Sequence, residues 1–202
     1  MSRVYWRRSG KVTGKTLRGA ERVEPTPTYW NTKQTQPVVD KRRPGAGFRH
    51  LLRKQDVLRF IELIPNWDEL AKDLDAIILA EGEEDLEGWY TEGVVGICAW
   101  DRKLWRRHPR HYYEENKEVF DRLGVVCEPR GERVLCKFTE SQAKAYQLLN
   151  ILLHELGHHH DRINTRSRLE CSRGEPYAED YALAYEKIIW DQYVQIFGPP
   201  DG

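Results

Sequence analysis

His154-Glu-Leu-Gly-His158 is the stretch of this chain whose residue types and spacing could do chemistry. On an α-helix, positions four apart share a face, so His154 and His158 can present both imidazoles to one ion. Two neutral imidazoles hold a divalent metal while leaving coordination positions for a third protein ligand and a water. A bound ion lowers the pKa of such a water to about 7, and Glu155, projecting beside the histidine pair, can take its proton as general base. A third ligand is offered downstream, in Glu175-Pro-Tyr-Ala-Glu179-Asp-Tyr-Ala182. Glu175 and Glu179 are again four apart on one face. One carboxylate can ligate the ion while the other hydrogen-bonds a ligand histidine from behind.

The residues around these positions carry weaker expectations. His159 and His160 rotate off the ligand face by about 100° per residue, which puts them at the surface or behind a ligand. Asp161, three past His158, lies too far along the axis to join His154, and a bond near His158 or to the following loop is expected. Tyr177, Tyr181 and Tyr185 form a helical stripe suited to core packing. Tyr181 is the candidate within it for a hydrogen bond to a developing oxyanion.

These side chains need elements to position them. Thr139-Glu-Ser-Gln142 reads as a capping box opening a helix that runs on into the histidine motif. Leu148, Leu149, Ile151, Leu152, Leu153 and Leu156 make that helix apolar around most of its girth, so it is expected to be buried. Two histidines and a glutamate in a buried helix are costly without partners. A second helix is expected from the first glutamate to Phe197, with Pro176 in its first turn and Gly198-Pro199-Pro200 as its stop. Ala178 and Ala182 are small enough to let it approach the histidine helix closely. Upstream, residues 51–64 and 67–74 read as amphipathic helices interrupted at Pro65-Asn66. Residues 76–80 and 94–100 read as apolar strands, and 124–127 with 133–138 as a hairpin. The Trp- and Arg-rich stretch 100–113 reads as a lid, a substrate loop or a surface loop.

His-Glu-Leu-Gly-His-His-His-Asp followed by Glu-Pro-Tyr-Ala-Glu-Asp-Tyr-Ala resembles the gluzincin zinc metallopeptidases. It is similar to the lethal-factor-like branch, with His-Glu-x-Gly-His-x-x-Asp and then Glu-x-x-Ala-Glu-x-aromatic, and also to ImmA-type peptidase domains. The resemblance spans about twenty motif residues and, loosely, the order of elements from residue 70 onward. It implies His154, His158 and Glu175 as zinc ligands, Glu155 as the base, and one Zn2+ per chain. Glu179 then matches the acid behind a ligand histidine, with a role as alternative ligand, and Asp161 matches the aspartate three past the second histidine. The implied fold is α+β: a compact zincin-like domain with a short mixed β-sheet, a buried histidine helix and a C-terminal glutamate-bearing helix. In such domains a strand like residues 94–100 borders the cleft, and a peptide substrate adds to its free edge. The implied function is a zinc-dependent metalloendopeptidase acting on a protein or peptide substrate.

Composition bounds the rest. The chain has 202 residues, 40% apolar and 32% charged, enough for one domain with an extension. No run approaches 18 apolar residues, so no membrane partner is expected, and the charged N-terminus lacks the apolar run of an ordinary secretory signal. Zero net charge hides a split: residues 1–50 carry twelve Lys/Arg and three Asp/Glu, a net +9, while the remainder is −9. That segment, rich in Gly, Pro, Thr and Gln, reads as a basic arm or tail preceding a domain at 51–202. Its Tyr5, Trp6, Tyr29, Trp30 and Phe48 interleave with the cations. The arm is expected to drape over its own acidic domain, with nucleic-acid binding as the alternative. Two other functions stay open, a nucleic-acid-associated protein and a non-catalytic zinc-binding interaction module. Cys98, Cys127, Cys136 and Cys171 lack zinc-knuckle spacing. A turn at Arg130-Gly131 would set Cys127 opposite Val134 and leave Cys136 diagonal at about 7–8 Å, too far for a disulfide. Reduced thiols and a cytoplasmic location are the resulting expectation.

Overall fold

Ala76-Ile-Ile-Leu-Ala80 offers no polar position to either side, which suits a strand covered on both faces. The computed structural model, which describes residues 27–165 and 172–200, makes it β3 (Ala76–Ala80), with all five residues buried. It pairs in parallel with β1 (Val38–Lys41) and with β5 (Val94–Cys98). β4 (Gly88–Thr91) runs antiparallel to β5 and ends the sheet, whose order is β1-β3-β5-β4. The sheet is therefore short and mixed, and the molecule is α+β. Strand β5 is interior. The edge strand next to it is β4, which corrects the expectation that residues 94–100 offer a free edge.

One face of this sheet, through Ile77, Leu79, Val95 and Ile97, packs on the helical core with Leu152, Leu153 and Leu156. The opposite face, through Ile78, Val94 and Cys98, is closed by Tyr29, Leu86 and Trp89. Residues from the basic arm thus belong to the fold. Tyr29 donates to Asp40 at 2.7 Å, the Gln34 amide donates to Asp75 at 2.7 Å, and Trp30 stacks on Trp89. With β1 and β2 (Phe48–Arg49) also paired, the compact domain begins before residue 51. The boundary at 50/51 was misplaced because four-residue strands in a polar context carry no periodicity to read. Tyr5 and Trp6 lie outside the described residues, as do Cys171 and the Ser/Arg-rich connection around it.

Helices α1 (Lys54–Ile61) and α2 (Trp67–Leu70) fill the two expected runs in shortened form. The stretch expected to be a lid or loop is instead ordered structure. It contains β6 (Trp100–Asp101), β7 (Trp105–Pro109), α3 (Arg110–Glu115) and, just beyond, α4 (Lys117–Arg122). β7 joins β8 (Val126–Arg130) and β9 (Arg133–Lys137) in a second antiparallel sheet of order β7-β9-β8. The β8–β9 hairpin turns at Gly131-Glu132, with Gly131 at φ 64°. A glycine at the first central position suits a type II′ turn. That register sets Cys127 opposite Cys136, with Cα atoms 4.1 Å apart, and the two form a disulfide. The expectation of free, reduced thiols is overturned for this pair because the turn sits one residue later than assumed. Cys98 is free and buried. No helix among the described residues is long and apolar enough to cross a membrane.

Thr139 opens α5 (Glu140–Tyr146) with the expected reciprocal cap: its hydroxyl accepts from the Gln142 amide, and the Gln142 side chain accepts from the Thr139 amide. The helix then widens through a π-helical segment, Gln147–Leu152, before α6 (Leu153–Asn164). Such segments are rare and gather at functional sites. α7 (Gly174–Phe197) crosses α6. A Cβ on Gly157 of α6 would stand 2.8 Å from the Ala178 Cα and 3.2 Å from the Tyr181 Cβ of α7, so the two helices touch backbone to backbone there.

His159 ties α6 to the sheet. It is fully buried, and its Nε2 lies 3.0 Å from the carbonyls of both Leu70 and Lys72, which requires the proton on Nε2. Its Nδ1 accepts from the Tyr90 hydroxyl at 3.2 Å, and that oxygen in turn accepts from Gly93 N and Arg162 Nη1. The expected position off the ligand face holds, but the residue is an interior staple and not a surface group. Burial pushes its pKa down to about 4, against about 6.5 in an unfolded chain. The unfolded chain therefore takes up the proton first on acidification. The stabilisation is complete above about pH 6.5 and is lost as pH falls toward 4, up to roughly 3 kcal/mol. Chemical denaturation at stepped pH should show this acid limb flattened in His159→Gln. Identical slopes between pH 6.5 and 4 in the two chains would refute the assignment.

Candidate metal centre

Helix α6 places His154 and His158 one turn apart, and the first turn of α7 brings Glu175 to them. His154 Nε2 lies 3.1 Å from His158 Nε2 and 3.1 Å from Glu175 Oε2, while His158 Nε2 lies 3.6 Å from the same oxygen. These three residues are the one group of metal-ligating side chains found clustered among the described residues. The spacing fits an ion. Zinc–nitrogen and zinc–oxygen bonds of about 2.0–2.1 Å in a tetrahedron imply neighbouring donor atoms about 3.3 Å apart. Two imidazoles with a carboxylate suit zinc among the divalent metals, although such a donor set accepts others.

Glu155 follows His154 in α6, with its carboxylate beneath Gly88 of β4. Its side chain is buried, and burial pushes its carboxyl up to about 7, partly offset by His154 and His158 and reinforced by Glu175. Glu175 is the contrasting case. Hydrogen bonds from His154 and His158 hold its carboxyl far below the usual range, and its side chain is 61% exposed. A carboxyl poised near neutrality beside an anionic one is the pattern that separates a proton acceptor from a ligand. Pro176 follows Glu175 without penalty, because it is the third residue of α7, where backbone N–H groups have no intrahelical acceptor.

Strand β4 closes over this face. A Cβ on Gly88 would lie 2.8 Å from Glu155 Oε1 and 2.6 Å from the Ile151 Cγ2, so no side chain fits between the strand and the carboxylate. Gly88 is a close-approach position at the candidate site that the sequence does not single out. The only local signal was a glycine between the acidic run 81–87 and Trp89-Tyr90, which by itself suggests a turn.

The other expected residues fall as follows. Glu179 is exposed, one turn past Glu175, and makes no hydrogen bond or ion pair with either histidine. Asp161 is fully buried and does not reach the histidines; its carboxylate turns to the start of α7. Tyr181 stacks on Tyr185 and lies tilted against His160 at the α6–α7 interface, its hydroxyl buried and outside the metal-ligating group. His160 accepts a 2.6 Å hydrogen bond from Tyr177. No protein-family model, curated protein or solved structure matches the chain.

The geometry ranks the two glutamates. Glu175→Ala is expected to weaken zinc binding by more than about 100-fold, beyond what loss of an outer hydrogen-bond partner does. Glu179→Ala should leave affinity close to that of the parent. Chelator competition at fixed pH measures both, and a reversed ranking would move the ligand to Glu179.

Proposed function

We propose that the chain is a zinc-dependent metalloendopeptidase of the gluzincin type. The observation that carries this reading is the convergence of His154, His158 and Glu175, with the buried Glu155 beside them under an edge strand. A structural zinc takes four protein ligands, whereas three are gathered here among the described residues. Zinc held by these side chains would supply Lewis acidity to a peptide carbonyl and would acidify a water at neutral pH.

The chain's own groups account for the remaining steps. The free edge of β4 offers backbone N–H and C=O groups for an extended peptide to pair with, which suits a protein or peptide substrate. Glu155, with its carboxyl near neutrality, takes the proton of the attacking water and returns it to the leaving amine. Glu175 stays anionic and balances charge at the histidines. Gly88 leaves the carboxylate room against β4. The basic N-terminal segment supports the sheet through Tyr29 and Trp30, which agrees with its packing on its own domain.

Two variants test the reading on a peptide library with the full zinc-loaded chain. Glu155→Gln should keep the fold and one zinc per chain but lose hydrolysis by about 100-fold or more, since an amide cannot accept the proton. Gly88→Ala drives a methyl into Glu155 Oε1, and should cut kcat by about 10- to 100-fold with zinc retained. Parent activity matched by Glu155→Gln would exclude Glu155 as the base. A folded parent that takes up no zinc would end the enzyme reading.

A further inference from the structure

Helix α7 starts in a way its own sequence does not support. Its N-cap residue is Arg173, which has no side-chain acceptor to offer, and its first residue, Gly174, stands at φ 69°. The opening N–H groups of a helix have no intrahelical acceptors and carry about half a positive charge. Here another helix supplies the acceptor. The Asp161 carboxylate of α6 accepts from the backbone N–H of Arg173 at 2.7 Å and of Gly174 at 3.3 Å. Its second oxygen lies 3.1 Å from the Arg173 Nε.

The contact is part of a closed ring. The Arg173 guanidinium lies 4.2 Å over the centre of the Tyr177 ring, and the Tyr177 hydroxyl donates to His160 Nδ1 at 2.6 Å. His160 and Asp161 are adjacent on α6, so the ring returns to its origin. It encloses the first turn of α7, which carries Glu175. The Glu175 side chain is mostly exposed, and among the described residues its polar contacts are the two histidines. Little besides the backbone position of this turn holds that carboxylate in place.

We infer that Asp161 is a positioning residue for the metal centre: by anchoring the first turn of α7 to α6, it holds Glu175 against His154 and His158. The inference rests on the zinc reading above. Asp161 touches neither metal nor substrate and acts through the helix it anchors. Its carboxylate is three residues beyond His158, so one helix delivers two ligands and the anchor for the third.

Zinc affinity measured on the full chain by chelator competition at fixed pH is the test, since it needs no substrate. Asp161→Ala should weaken zinc binding by about tenfold or more. Asp161→Asn, whose amide oxygen still accepts from the two backbone N–H groups, should recover most of that loss. In a Glu175→Ala background, Asp161→Ala should cost nothing further, because the ligand it positions is gone. Parent-like affinity in Asp161→Ala overturns the inference, as does an undiminished loss in the Glu175→Ala background, which would show an effect on the histidines or the fold at large. A parent chain that binds no zinc removes the metal reading and this inference together, an outcome distinct from either of those.

Discussion

The contact between Gly157 and Ala178 is the constraint on which the rest of the centre depends. With a Cβ at Gly157 only 2.8 Å from the Ala178 Cα, α6 and α7 are as close as two helices can come. Glu175 is one turn before Ala178, so its carboxylate is brought to the histidine face by that approach. Any residue larger than glycine at 157 would press the helices apart, at a cost of about 1–3 kcal/mol. The same displacement would carry Glu175 away from His154, where the present gap is 3.1 Å. Helix packing and the position of Glu175 beside the histidines are coupled through one missing methyl group.

Around that contact, four successive residues of α6 each engage a different partner. His158 faces Glu175, and His159 reaches Tyr90 on β4 and the carbonyls of Leu70 and Lys72 at the end of α2. His160 takes the Tyr177 hydroxyl, and Asp161 takes the start of α7. A helix advances about 100° per residue, so four residues cover its circumference. The helix is clamped on all sides around His158. Rigid support of this kind is what a ligand set needs to keep its geometry.

The electrostatic division of labour follows from depth. Glu155 and Glu175 flank the same histidines, yet burial raises one carboxyl while histidine hydrogen bonds lower the other. Strand β4 produces the difference by lying over Glu155 at Gly88. The sheet that carries β4 is in turn backed by Tyr29 and Trp30 on its outer face. A segment that looks like a tail by charge therefore contributes to the support of the edge strand. Its cations have acidic neighbours within the fold, as in the Lys33–Asp73 pair and the Arg49–Glu140 contact at 2.7 Å.

What the sequence alone determined was local. The capping box at Thr139, the apolar girth of the histidine helix, the start of α7 near Pro176 and the spacing of His154, Glu155 and His158 were all legible. Each depends on residues within a turn or two, where helical geometry dictates which side chains share a face. The strand at 76–80 was legible for a similar reason, since continuous apolarity has few other uses. What required tertiary structure was every choice between equivalent local options. Glu175 and Glu179 are the same residue type on the same face, and only the crossing at Gly157 brings the first of them to the histidines. Edge and interior strands read alike, so β4 rather than β5 at the sheet edge came from sheet order. The Cys127–Cys136 disulfide turned on a one-residue shift of a hairpin turn, which moves a diagonal pair into direct opposition. For Asp161 the sequence left two options, a bond near His158 or to the following loop; its partners are the Arg173 and Gly174 backbone amides where that loop meets α7, and backbone amides carry no sequence signature.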